Sequence, residues 1–563
     1  MSPVDPWIEP TVCGVYLRFG TVIDEEINER CLELARIVNQ HPAEGFGPAI
    51  PSYAAVLVLA DPKHHSLTSV VHKLRENLQR VLQSRRTGPA RRFRWHELPV
   101  VYGGEAGPDL EAVARELGLT VQEVIRIHSS ASYRVYCQGF SPGFSFLGPL
   151  PEAIRVSRLN QPRLRVPAGS VGIAGAQTGV YPLPSPGGWR LIGRSTIPLY
   201  RPPSDFQEEA PLQLRPGDRV RFRPVEGSGI RVQASDVTQP SVQPQPSATG
   251  AWIEVIRPGL LSTIQDLGRT AWLPYGFSIS GAMDRGAMRR ANRLAGNHEG
   301  EACLEITAAG PHLRFHGKGK AALAGADLDA VCRGRSIRPG DVFEFIEGDE
   351  LTFRSRRNGM RAYLAVTGGF RLPKLAGSLS TDLIANIGGI QGRALRAGDR
   401  IPLREAAGSD VSPENSTEGN GHQEGITEFE PLDGPSWTSG AEMYVRWLPG
   451  LEFSRLSPDQ AAQFVVSAWE ITADSNRMGL RLSGPRLKVA QGGTMLSEPL
   501  APGAIQLPPS GQPIVLMSDC QTIGGYPRLG YVLDEDRDRL AQCIPGTRIR
   551  FLPASLLDVW KYA

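Results

Sequence analysis

Glycine and proline punctuate this chain so closely that long uninterrupted elements have little room. There are 62 glycines and 47 prolines among 563 residues, and most apolar runs end at a turn-forming residue soon after they begin. Many short strands joined by turns leave many edges, and closing the sheets on themselves hides those edges. The expected fold is therefore mainly β with some α, built around closed or partly closed barrels. At this length a single hydrophobic core is improbable, and two or more domains follow.

Two stretches interrupt the pattern. RVQASDVTQPSVQPQPSATG (231–250) mixes Ser, Gln and Pro without apolar periodicity, as a solvated linker does. Around 405–440, acidic and small polar residues crowd together with few aliphatics, which predicts a disordered insertion. They divide the chain into an α+β part (1–95) and a barrel (96–230), the first part of a second module (251–404) and that module's barrel part (441–563). Within 1–95, Ile27, Cys31, Leu34, Ala35 and Val38 recur at helical spacing before the apolar run SYAAVLVLA, so a helix beside a strand is expected. Thr120 and Glu123 have the spacing of a capping box and predict a helix start after the helix carrying Leu110, Val113 and Leu117. PAGSVGIAGAQTGVYP (167–182) is loosely repeated in PGAIQLPPSGQPIVLMSDCQTIGGYP (502–527), which leaves open whether both modules carry related barrels.

Composition excludes several classes of partner. A net charge of +3 creates no global field to attract nucleic acid or an anionic membrane. Seven scattered cysteines without a Cys-x-x-Cys pair argue against a disulfide framework or a zinc site, and no metal is expected. The first residues, MSPVDPWIEP, lack the features of a signal peptide, and the run from Ala54 to Ala60 is too short to span a bilayer, so a cytoplasmic location is expected. No Walker A loop or His-Glu-x-x-His motif occurs.

Candidate site residues come from glycine-rich strings. HSSASYRVYCQGFSPGFSFLG (128–148), PRLRVPAGSVGIAGAQTGVYP (162–182) and SPGGWRLIGR (185–194) combine glycines with polar side chains. Gly169, Ser170 and Gly172 can aim backbone N–H groups at a carbonyl or carboxylate, although most such glycines only turn the chain. Gln177 is a polar neighbour in the same string. His128 titrates near neutrality and is a candidate for moving a proton, with a purely structural role as its alternative. Arg194, and less so Arg163 and Arg165, offers a planar donor fork to an anion.

In the second module a strand, a glycine-punctuated loop and a helix starting near Asp284 are expected, with Ser280 and Asp284 at the free N–H groups of that helix and capping the preferred task of Asp284. Asp266, Glu305 and Asp327 supply carboxylates that no spacing pairs. Asn476 and Gln521 carry both a donor and an acceptor, as an amide ligand requires. Cys520 invites a nucleophile reading, with a buried strand cysteine as the commoner alternative.

These strings resemble the family of allophanate hydrolase subunits 1 and 2, which includes the 5-oxoprolinase B and C subunits, the sporulation kinase inhibitor and its antagonist, and the carboxyltransferase region of urea carboxylase. GFSPGFSFLG, PRLRVPAGSVGIAGAQTGVYP and SPGGWRLIGR are similar to subunit 1. RPGLLSTIQDLGR, SGAMD, LEIT, GAD, SNRMGLRL, GAIQLPP and QT-GGYP are similar to subunit 2. The resemblance implies cyclophilin-like barrels in both modules and a fusion of two normally separate subunits.

It also implies one of three functions. The first is ATP-dependent hydrolysis of an amide or lactam together with an A-type 5-oxoprolinase subunit, on which ATP would chiefly bind. The second is carboxyl transfer to urea or a related amide, with biotin present only as a substrate carried by another protein, since no biotinyl Met-Lys-Met site or carboxylase domain occurs here. The third is non-catalytic regulation of a protein partner. The chain departs from the family pattern at Cys520, where arginine is usual, and at Ile279, where proline is common.

Overall fold

The computed structural model describes residues 6–41, 45–62, 64–87, 93–159, 163–201, 212–226, 250–404, 442–489 and 495–560. The expected linker, apart from Gly250, and the expected insertion lie outside the described residues.

The chain opens with a four-stranded antiparallel sheet in the order Trp7–Thr11, Gly14–Arg18, Ala55–Ala60, Phe46–Pro51. Its apolar run is continuous because both faces are covered. Val56, Val58 and Ala60, alternating with their neighbours, pack with Val15 and Leu17 against the stripe Cys31, Leu34, Ala35 and Val38 of helix Glu25–Gln40. Ala55 and Leu57 turn the other way, with Tyr16, onto Leu448, Leu500, Ala504 and Tyr531 of the second module. Each large aliphatic side chain so buried contributes about 1.5–3 kcal/mol.

A closed seven-stranded barrel follows. From Trp95–Tyr102 its circuit passes through Arg190–Ser195, Ser170–Ala174, Gln177–Val180, Ser145–Gly148, Tyr133–Gln138 and Arg219–Pro224, which closes on Trp95–Tyr102 in parallel. Helices Leu110–Leu117 and Val121–Ser130 cover it, the second held by the expected capping box: Thr120 N donates to the Glu123 carboxylate (2.8 Å) and Glu123 N to Thr120 Oγ1 (3.2 Å).

The second module begins as a sandwich of a six-stranded and a five-stranded sheet sharing one core, with Ile253, Phe315 and Leu351 facing Leu304, Leu323 and Leu364. Helix Arg285–Leu294 lies on the outer face of the five-stranded sheet through Met288 and Ala291. Another closed seven-stranded barrel ends the chain. From Glu442–Pro449 its circuit passes through Arg528–Val532, Ala504–Gln506, Ile514–Leu516, Gly479–Ser483, Trp469–Ile471 and Arg548–Pro553, again closing in parallel. Numbered along the chain, the strands of both barrels occur in the same circular order, so the two barrels share one topology.

Candidate active site

The polar loops of the two modules meet at a seam between them. The loop leaving strand Tyr133–Gln138 is held between two segments of the second module. A Cβ on Gly139 would stand 2.5 Å from the Ile523 side chain, and one on Gly276 would stand 2.6 Å from Ser141 O. Gly143 N donates to Tyr275 O at 3.3 Å. Tyr200 OH reaches Ala385 O at 2.9 Å, and Trp560 Nε1 reaches Thr11 O at 3.0 Å. Phe140, Arg158, Leu496, Gln521, Gly524 and Tyr526 are only partly buried and line the open side of this seam.

Beneath it lies a buried ionic core. Arg477 grips Asp519 with two donors (Nε to Oδ2 2.8 Å, Nη2 to Oδ1 2.9 Å), donates to Gly281 O at 2.7 Å and contacts Glu305 Oε1. Tyr363 OH and Met283 N occupy Glu305 Oε2, each at 2.8 Å. Burial alone would favour a neutral guanidine at Arg477, but Asp519 and Glu305 outweigh it and hold the side chain protonated.

Arg269 is buried beside this core. Its Nη2 contacts Ser380 O, while Nε and Nη1 have no partner among the described residues. The nearby carboxylates are already engaged. Asp266 accepts from Ser378 Oγ (2.7 Å), Ser380 Oγ (2.5 Å), Leu379 N (2.6 Å) and Gly268 N (2.8 Å). Asp382 accepts from Ser278 Oγ (2.9 Å) and from Ile384 N and Ala385 N. Two donors of a buried cation are thus left for a carbonyl or water oxygen.

The sequence-derived candidates separate into groups. His128 is withdrawn from the seam: it is fully buried in the first barrel, its Nδ1 bonded to Tyr102 OH (2.7 Å) and its Nε2 to Thr178 Oγ1 (3.0 Å), with its ring stacked on Phe222 at 4.5 Å. Burial pushes its pKa down to about 3, so it stays neutral and cannot reach a substrate in this state. The backbone N–H groups of Gly169 and Ser170 are likewise spent, on Tyr181 O (2.7 Å) and Pro167 O (3.3 Å). Gly172 faces Tyr181 and Trp189, and its smallness admits those rings.

Arg194 pairs across the strands with Ser170, two residues before Gly172, which puts it on the barrel face carrying Tyr181. Its Nε donates to Ala168 O (2.8 Å), and no carboxylate pairs with it among the described residues. Gln177 is buried with its Oε1 unpartnered. Ser280, at φ +56°, bonds Ser278 Oγ (3.0 Å) and donates its N–H to Ser518 O (3.0 Å) beside Arg477.

Gln521 Nε2 donates to Gln506 Oε1 at 3.1 Å on the open side of the seam. Asn476 is exposed and accepts from Met478 N (2.8 Å), closing a tight turn, and Asp327 accepts from Asp329 N (2.9 Å) in another turn. Asp284 caps its helix at Ala287 N (2.8 Å), as expected, and burial lifts its carboxyl to about 7. Cys520 is buried, and that burial pushes its thiol far up, which removes it as a nucleophile. Arg158 and Arg269 were missed; each sits in a segment with no local partner to draw attention to it.

A family model for the carboxyltransferase domain, subdomain C and D, matches residues 12–212, and one for the carboxyltransferase domain, subdomain A and B, matches residues 275–553. The C component of the 5-oxoprolinase of Escherichia coli (strain K12) is 38% identical over 309 residues, which are 55% of this chain and 93% of that protein. This chain belongs to the carboxyltransferase-domain family. The B component of the 5-oxoprolinase of Bacillus subtilis (strain 168) is 42% identical over 215 residues, 37% of this chain and 88% of that protein.

A single chain of matching extent also has a solved structure: TTHA0988 aligns with a TM-score of 0.76 at 35% identity, covering 97% of this chain and 100% of its own. The urea amidolyase of Lachancea kluyveri is 31% identical over 54% of this chain, but that match spans only 17% of the amidolyase. Family membership therefore extends to both halves, and this one polypeptide is similar to both the B and the C components of those 5-oxoprolinases. Among the described residues no helix is long and apolar enough to cross a membrane.

Proposed function

We propose that this chain supplies the B-like and C-like parts of an ATP-dependent hydrolase that opens a small lactam of the 5-oxoproline kind. The observation that carries this reading is the seam itself, where the Gly139–Gly143 loop of one module packs closely against the Gly276 and Ile523 segments of the other, so that polar loops of both halves meet there. An amide carbonyl is a poor electrophile. Transfer of the terminal phosphoryl group of ATP to its oxygen, attack of one water at carbon with breakage of the C–N bond to leave an acyl phosphate, and hydrolysis of that acyl phosphate by a second water together yield ADP, phosphate and the open amino acid. ATP would bind chiefly on an A-type partner, as no nucleotide motif occurs in this sequence. The residues of this chain would hold the substrate and limit access of water.

The test combines the purified chain with its cognate A-type subunit, ATP-Mg and 5-oxoproline, and follows ADP and glutamate. Stoichiometric appearance of both supports the reading. Absence of turnover, with discharge of carboxybiotin by urea or a related amide instead, would replace it with carboxyl transfer. Absence of both activities alongside a co-purifying protein partner would replace it with regulation.

A further inference from the structure

Arg158 differs from Arg477, Arg528 and Arg18 in what surrounds it. Arg477 meets Glu305 and Asp519, Arg528 meets Glu452 and Glu498, and Arg18 meets the same two glutamates. Arg158 has no carboxylate partner among the described residues. Its one protein hydrogen bond runs from Nη1 to Gly525 O at a long 3.3 Å, and its Cζ lies 6.0 Å from the Tyr526 ring. The ionisable groups around it are three phenols: Tyr526, Tyr181 and Tyr53.

Tyr53 is fully buried, propped against Tyr136 (5.1 Å between centroids), and its hydroxyl has no partner. Gly525 is shaped to the guanidinium: a Cβ there would lie 2.6 Å from Nη2 and 2.8 Å from Nη1. Closely surrounded yet reached by solvent, the guanidinium has lost much of its hydration without gaining an anion. Taking a cation out of water in this way is unfavourable unless a counter-charge completes the site. A planar fork with no carboxylate partner offers its donors to an anion, the complement of a carboxylate.

We propose that Arg158 forms a carboxylate subsite at the seam, so that it is the residue by which a lactam bearing a carboxylate is preferred over a neutral amide. This rests on the seam being the substrate site. It assigns specificity to a residue of the first module and places the subsite against the backbone of the second, at Gly525. Neither module alone would then hold the carboxylate fully.

Equilibrium binding to the full chain, measured by calorimetry with and without the A-type subunit and requiring no turnover, tests it. The probes are 5-oxoproline, its neutral analogue pyrrolidin-2-one, and glutarate as a carboxylate without a lactam. Wild-type protein is expected to bind 5-oxoproline at least tenfold more tightly than pyrrolidin-2-one. R158Q should abolish that preference while leaving the pyrrolidin-2-one affinity unchanged, and R158K should keep part of it. Unfolding curves identify any variant that fails to fold, in which case R158K carries the test.

Equal weakening of both lactams by R158Q, an unchanged 5-oxoproline affinity in R158Q, or no carboxylate binding by the wild type would each overturn the proposal. Binding of glutarate through Arg158 without any binding of 5-oxoproline would keep the carboxylate subsite but overturn its assignment to a lactam substrate, and with it the lactam-hydrolase reading.

Discussion

Arg18 and Glu498 join the two modules by a two-pronged ion pair, Nε to Oε1 at 2.9 Å and Nη2 to Oε2 at 2.8 Å, and Arg18 reaches Glu452 with the same Nη2. Arg528 closes the cluster from the second module, bonding Glu498 at 2.8 Å and Glu452 at 3.3 Å. Removing Arg18 leaves two largely buried carboxylates to share one guanidinium. Arg18→Ala is therefore expected to cost roughly 2–4 kcal/mol, somewhat less than breaking an isolated buried pair because Arg528 remains. Urea denaturation checks the size. If the chain is cut proteolytically between the modules, the halves should still co-elute in wild type and separate more readily in the variant.

The same cluster sets a pH dependence. Burial would raise the Glu452 carboxyl, but Arg528 and Arg18 outweigh it and hold the group below the ordinary glutamate value. Because the folded value is the lower one, the stabilisation is complete above the ordinary glutamate range and is lost as pH falls through it. Wild-type stability is expected to decline in acid more steeply than that of Arg18→Ala, as denaturation curves across that range would register.

His128 adds to the same acid sensitivity, through a base that burial keeps neutral. Its folded value of about 3 lies below the ordinary 6.5, so the unfolded chain takes up the proton first and stability falls as pH drops from about 6.5 toward about 3. Between pH 7 and pH 5 this group alone should remove roughly 2 kcal/mol. His128→Ala is expected to destabilise the fold by about 3 kcal/mol, through the cavity and the abandoned Tyr102 and Thr178 hydroxyls. Turnover per folded molecule should remain within twofold of wild type. A tenfold fall in turnover at unchanged stability would restore His128 to the chemistry.

The helix stripes, the capping box at Thr120 and the helix start at Asp284 were legible because they depend on residues a few positions apart. The repeat was half legible. Pro167-x-Gly and Pro502-Gly do introduce equivalent barrel strands, Ser170–Ala174 and Ala504–Gln506. The shared Gln-Thr does not correspond: Gln177 and Thr178 lie in a barrel strand, whereas Gln521 and Thr522 fall after Ile514–Leu516, ahead of the short strand pairing with Glu498–Pro499. Gly/Pro-rich turns favour such coincidences. Arg158 was not legible as a site residue, since the carbonyl it touches belongs to Gly525, 367 positions away.

Arg477 provides a test of the ionic core. Arg477→Met would strand Glu305 and Asp519, both nearly inaccessible, beside each other without their shared cation. A loss of about 3–5 kcal/mol is expected. Adding Glu305→Gln and Asp519→Asn should recover part of it, because neutral amides avoid the stranded charges. A triple variant no more stable than the single one, in the same denaturation experiment, would show that packing and not charge dominates there.

Two glycines at the seam should respond differently to the same added methyl group. At Gly139 the obstacle is the Ile523 side chain from its Cβ outward, 2.5 Å away and buried, and it has no room to yield. At Gly525 the obstacle is the tip of Arg158, 2.6 Å away, on a long side chain that can swing aside. Gly139→Ala is therefore expected to destabilise the chain by about 1–3 kcal/mol, the range for overpacking a tight contact. Gly525→Ala should cost less than about 1 kcal/mol, since a flexible side chain relieves the clash. The order reverses for recognition: Gly525→Ala displaces the guanidinium and should weaken 5-oxoproline binding at least tenfold, with pyrrolidin-2-one unaffected. Thermal unfolding and calorimetric titration of both variants separate the effects. Gly525→Ala that binds 5-oxoproline normally would mean that Arg158 need not occupy its observed position to meet the substrate.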